Sequence, residues 1–144
     1  LSVLYCFLKS FAFRRISFFF GKEGLPLESR DKAFVAAKAA QDKKAKDVIV
    51  LDLHGITTIA DFFVICSGES TPQVKAIEEH VESKLAEHGA GLLRIEGLRY
   101  CNWVLMDYGD VIIHIFEDEM RAFYELEKLW IDARRIDPDS HTAL

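Results

Sequence analysis

At 144 residues, half of them hydrophobic, the chain has the length of one ordinary domain and enough apolar material for a core without a disulfide framework or a structural metal. Its three cysteines, Cys6, Cys66 and Cys101, are odd in number and show no C-x-x-C spacing, which argues against a zinc site and a secreted scaffold and fits a reducing compartment. The net charge of −5 is uneven: residues 1–22 carry +4 and no acid, leaving −9 on the rest, a sign that disfavours direct DNA binding and suits a basic protein partner.

Residues 1–30 are read as an extension outside the working domain. Residues 1–22 hold six of the eleven phenylalanines, but Lys9, Arg14 and Arg15 interrupt the apolar run. It therefore lacks the roughly twenty continuous apolar residues of a membrane span. No charge precedes an apolar core, as a secretory signal requires. The acid-poor, Arg- and Ser-containing composition keeps a mitochondrial presequence open. The preferred reading is that the segment is not part of the working protein, because the chain begins with Leu and the first Met is Met106.

From Asp31 the pattern predicts elements in order. Asp31 to Lys44 is Ala-rich, with Phe34, Ala37 and Ala40 toward one side and lysines at the end, which predicts a helix. Asp47 to Leu53 and Phe62 to Cys66 read as buried strands separated by a His54-Gly55 turn. Cys66 is expected as a small core residue rather than a catalytic thiol, since no histidine is placed beside it. After Ser67-Gly68-Glu69-Ser70 a long helix is capped by Ser70 or Thr71, takes Pro72 in its first turn, stops at Gly89 and buries Val74, Ile77, Val81 and Leu85. Gly91 to Glu96 supplies a short strand and Gly97 to Asn102 a loop. His80 and His88 lie eight apart on the helix, with His54 in a turn and His141 in the tail, so the sequence builds no metal site, and no cofactor is expected.

The stretch from Trp103 to Phe116 reads as a hairpin about Asp107-Tyr108-Gly109-Asp110, with Asp107 opposite Asp110 and Gly109 at positive φ. That register puts Val104, Met106, Val111, Ile113 and Ile115 on one face. Trp103, Leu105, Asp107, Ile112, His114 and Phe116 fall on the other, with Trp103 across from His114 and Leu105 across from Ile112. Two carboxylates facing each other at the tip cost free energy unless a cation or the turn compensates, so a binding edge and simple turn capping both stay open. Met120 to Ala133 predicts a last helix, with Glu117, Asp118 and Glu119 near its positive end. The order α-β-β-α-β-β-β-α makes an α/β domain over residues 31–136, with a mixed sheet of about five strands, flanking helices and a frayed tail over residues 137–144.

Lys46-Asp-Val-Ile-Val-Leu-Asp-Leu53, Ala60-Asp-Phe-Phe-Val-Ile-Cys-Ser-Gly-Glu-Ser70, the hairpin and the last helix together resemble the ribosomal silencing factors, or Iojap-like proteins, over about Asp31 to Ala133. The resemblance implies a nucleotidyltransferase-like fold without enzymatic activity. It implies a factor that binds the large ribosomal subunit at its L-fourteen protein, sterically blocks subunit joining and so represses translation, in the cytoplasm, as a homodimer when free. Large-subunit assembly in mitochondria is the alternative that it leaves. Trp103, Asp107, Tyr108, Asp110 and His114, with Arg121 and Tyr124 as neighbours, are the partner-binding residues carried over, and Cys101-Asn102 departs from the usual pattern. A nucleotide-acting enzyme is the other alternative. It would need a phosphate-holding Gly-Ser turn beside paired carboxylates for Mg²⁺, and the sole Asp-x-Asp, Asp137-Pro138-Asp139, lies in the tail.

Overall fold

The computed structural model describes residues 27–140, so the expectations for residues 1–26 and 141–144 lie outside it. In chain order the elements are α1 (Ser29–Asp42), β1 (Lys46–Asp52), β2 (Phe62–Gly68), α2 (Thr71–Glu87), β3 (Arg94–Glu96), β4 (Trp103–Asp107), β5 (Val111–Glu117), α3 (Asp118–Tyr124), α4 (Leu126–Leu129) and β6 (Arg134–Ile136). The fold begins before Asp31, since Ser29 opens α1 and Leu27 packs on the core.

The α/β class holds, with six strands in the order β3-β4-β5-β2-β1-β6 rather than about five. Only β2 and β5 pair in parallel; the other neighbours are antiparallel. Every residue of β2 is buried, as expected for a central parallel strand covered on both faces. The added strand is β6, three residues that join β1 after the last helix, pairing Val50 with Ile136 and Asp52 with Arg134. So short an edge carries little sequence signal of its own. Beyond it, Asp139 accepts a hydrogen bond from Gln41 Nε2 at 3.2 Å, which ties the expected loose tail to α1 as far as Ser140.

One face of the sheet is covered by α1 and α2. Ala33, Ala36, Ala37 and Ala40 let α1 approach closely, and α2 buries Val74, Ile77, Val81 and Leu85 against Val64, Cys66, Val104, Met106, Ile113 and Ile115. Each large aliphatic side chain fully buried there contributes about 1.5–3 kcal/mol. Ser70 caps α2 by accepting the Gln73 N–H. The other face is covered by α3, α4 and the turn at Trp130, over Leu51, Phe63, Ile65, Leu105, Ile112 and Phe116.

The hairpin register differs from the expected one by two residues. Trp103 faces Phe116, Leu105 faces His114 and Asp107 faces Ile112, so the two-residue loop is Gly109-Asp110. Gly109, at φ +89°, thus takes the first central position, the place of glycine in a type II′ loop. A shift of two preserves parity, so both faces keep the side chains assigned to them. The long last helix is broken: Glu125 adopts φ +46°, ending α3 and restarting as α4, which turns Leu126 into the core.

Between β3 and β4, Gly97 takes φ +90°, and a Cβ there would collide with the backbone carbonyl oxygen of Trp103. Gly97→Ala is expected to cost at least about 2 kcal/mol in urea denaturation through the strained φ and the clash. A loss below about 0.5 kcal/mol would show that the loop relaxes freely.

Candidate functional site

The mixed hairpin face leads outward through a chain of aromatic contacts. His114 sits edge-on to Phe63 at 4.8 Å, and its Nδ1 accepts a hydrogen bond from Trp103 Nε1 at 3.2 Å. Trp103 stacks on Phe116 at 4.8 Å and lies at the same distance from Tyr124. Tyr124 in turn meets Phe123 edge-to-face at 5.1 Å. Burial falls along this path, from His114 at 3% exposed and Trp103 at 8% to Phe123 at 75%.

Accepting from the indole fixes the neutral tautomer of His114 with its proton on Nε2. Burial pushes its pKa down to about 3, since a charged imidazole would lose hydration inside the sheet.

The other residues expected at the site are dispersed. Asp107 is buried and caps the turn, its Oδ1 accepting the Gly109 N–H at 2.8 Å. Asp110 is half-exposed and bonds Lys32 Nζ of α1 at 2.6 Å, so the second carboxylate meets a cation within the chain. Tyr108 projects to the opposite face and packs in the core under the helices. Its hydroxyl is held well above its ordinary pKa, by burial and then by the Glu82 and Glu78 carboxylates. Trp103, His114, Phe116 and Tyr124 are thus gathered together, whereas Tyr108 and Asp110 stand apart from them.

Arg121, expected as a surface neighbour, is largely covered. Its Nε and Nη2 hold Glu127 at 2.9 and 2.8 Å, and its Nη1 reaches the Lys46 carbonyl and Ser67 Oγ at 3.3 and 3.2 Å. This network lines a cleft of about 550 Å³ at the carboxyl end of the β2–β5 pair, the end where open α/β sheets usually take a ligand. Lys46 there reaches Glu69 at 2.8 Å and Asp118 at 3.2 Å. The Gly68-Glu69-Ser70 turn is likewise engaged from within, because the Gln73 side chain accepts the Glu69 N–H at 2.7 Å and donates to the Lys43 and Lys44 carbonyls.

Two exposed aromatics stand outside the expected site residues. Phe123 falls in the helix that periodicity predicts as continuous to Ala133 and that breaks at Glu125. Tyr100, 68% exposed, lies in the loop before β4, where Arg99 stacks on its ring at 5.3 Å. A large aromatic side chain in a glycine-bounded loop was the available signal.

Residues 26–143 match the family described as "Ribosomal silencing factor during starvation". The chain belongs to this ribosomal silencing factor family. It is 44% identical over 105 residues to ribosomal silencing factor RsfS of Bacillus subtilis, an alignment covering 73% of this chain and 89% of that one. A crystal structure of a protein from Chromobacterium violaceum superposes with a TM-score of 0.70 at 36% identity, covering 72% of this chain and 87% of that one. The mouse protein named for mitochondrial assembly of the ribosomal large subunit is 34% identical over 94 residues, 62% of this chain and 41% of its own length. The family assignment and the fold expected from it therefore hold.

The buried imidazole has a pH signature. His114 titrates near 6.5 when unfolded and at about 3 when folded. Between those values the unfolded chain binds a proton that the folded chain does not, so stability falls as pH falls, by up to about 1.4 kcal/mol per unit. His54 shifts upward because Asp52 accepts its hydrogen bond, and it acts with the opposite sign, but it is common to both proteins compared. From pH 7 to 5 the native chain should lose about 2 kcal/mol more than His114→Gln in urea melts. Equal losses would show that His114 carries no such shift.

Proposed function

We propose that the chain binds the large ribosomal subunit through its L-fourteen protein and sterically prevents joining of the small subunit, repressing translation. Family membership supports the ribosome as partner, and the observation that carries the surface is the exposed Phe123 beside half-buried Tyr124, backed by Trp103. An aromatic ring held rigidly in place loses little entropy on binding, and aromatic residues are enriched among interface anchors. The segment from Glu117 to Asp132 has six acidic and two basic side chains, which suits a basic partner.

In this reading Tyr124 and Phe123 meet the partner, while Trp103 and His114 support them from behind and Asp107 fixes the turn. Asp110 adds charge at the hairpin tip, and Tyr108 acts only through the fold. Free chains pair as homodimers over the same apolar surface. Cytoplasmic action is proposed, and no helix of the described residues is long and apolar enough to cross a membrane. Assembly of the large subunit in mitochondria is a second reading, favoured by the mouse relative's name and by the +4 charge of residues 1–22.

The protein is further proposed to work by occlusion, without catalysis. Support comes from the Gly68–Ser70 turn, where the Gln73 side chain takes the Glu69 N–H and the Glu69 carboxylate would repel a phosphate. With Mg²⁺ and each nucleoside triphosphate, the purified protein should release no pyrophosphate above a heat-killed control. Turnover that Glu69→Gln or Asp118→Asn abolishes would replace this reading with an enzymatic one.

Phe123→Ala should weaken binding to isolated large subunits about tenfold or more while leaving the melting temperature within about 2 °C, because the ring is mostly in solvent. Trp103→Ala should instead lower the melting temperature by roughly 10 °C or more, on the order of 3 kcal/mol, since it empties a packed site. Normal sedimentation of folded Phe123→Ala with large subunits at dilute concentration would remove this surface from the ribosome contact.

A further inference from the structure

We infer that Arg121 is a positioning residue, one that sets the angle between α3 and α4 and thereby presents Phe123 without touching the partner itself; this rests on the ribosome-binding reading above. A helix of seven residues followed by one of four cannot hold its own direction, because short helices are marginal without tertiary support. The junction between them, Glu125 at φ +46°, is a conformation that a non-glycine residue adopts only against resistance. The surrounding structure must therefore hold it.

Arg121 is placed to do so. It lies before the break and Glu127 after it, and the two-point contact between guanidinium and carboxylate, at 2.9 and 2.8 Å, spans the junction. From the same group Nη1 reaches the Lys46 carbonyl at the start of β1 and Ser67 Oγ near the end of β2. One planar cation thus fastens both sides of the break to the sheet. These contacts engage all three of its nitrogens, and the Arg121 and Glu127 side chains are only 12% and 17% exposed. Little remains to offer an external carboxylate or phosphate. Lysine, a point charge without the fork, cannot reproduce the span.

The test is a double-mutant cycle in the full chain, read by affinity for isolated large subunits and by hydrogen exchange. Arg121→Gln and Glu127→Leu should each weaken binding about tenfold, and the double variant by the same tenfold rather than a hundredfold, because both remove one clamp. Arg121→Lys should behave as Arg121→Gln. Amides of residues 118–129 should exchange faster in each variant while those of β2 and β5 stay protected. If Arg121→Gln does not fold, Glu127→Leu carries the test alone, since it removes the acceptor without a large change in side-chain volume.

A Glu127→Leu variant that binds normally beside a weakened Arg121→Gln would overturn the inference, because Arg121 would then meet the partner directly. Unchanged exchange over residues 118–129 would overturn it as well. Failure of the ribosome reading is separable: Phe123→Ala would then bind as the native chain does, while the exchange measurement would still report whether the clamp orders α3 and α4.

Discussion

The parallel pairing of β2 with β5 is the constraint on which the other parts depend. Both strands are apolar along nearly their whole length, so each face of the sheet must be covered by another layer. The two layers are unequal. On one side α1 and α2 supply a full pair of helices whose alanines and aliphatic side chains close the core. On the other, α3 and α4 total eleven residues and leave Phe123, Leu129 and Ile131 largely in solvent. Exposed apolar side chains gathered in one short stretch are uncommon on a surface with no partner, and here they follow from the thinness of that second layer.

The carboxyl end of the same strand pair would ordinarily open into a ligand site. In this chain the cleft there is lined by side chains already paired with one another: Lys46 bridges Glu69 and Asp118, Arg121 grips Glu127, and Gln73 takes up the turn before α2. These charged groups are matched internally and serve to anchor the outer helices.

Much of this was legible from side-chain periodicity. The stripe Val74, Ile77, Val81 and Leu85 and the sorting of the hairpin into two faces are both consequences of spacing, and spacing is written in the sequence. The hairpin register was not, because Asp107-Tyr108-Gly109-Asp110 offers two glycine-containing loops of equal length, and two-residue hairpins accept glycine at either central position. The broken helix was hidden for a different reason. Met120 to Ala133 has good helical periodicity, but burying Leu126 and joining Arg121 to Glu127 outweighs continuity at Glu125. That is a tertiary effect overriding local propensity. The site residues were legible as a group of unusual side chains, whereas their division into support and exposed edge required knowing which rings cover which.

Under the proposed function, that division changes how the hairpin would contribute to recognition. Had Trp103 stood in solvent, its binding would include the cost of ordering a large side chain at an interface. Packed against Phe116 and Tyr124 and hydrogen-bonded to a neutral His114, it is already ordered before any encounter. The same packing restrains Tyr124, whose ring Phe123 meets edge-on. In the proposed ribosome contact a partner would therefore meet an edge ordered in part by folding, and the buried residues would act on affinity by preorganisation rather than by touch.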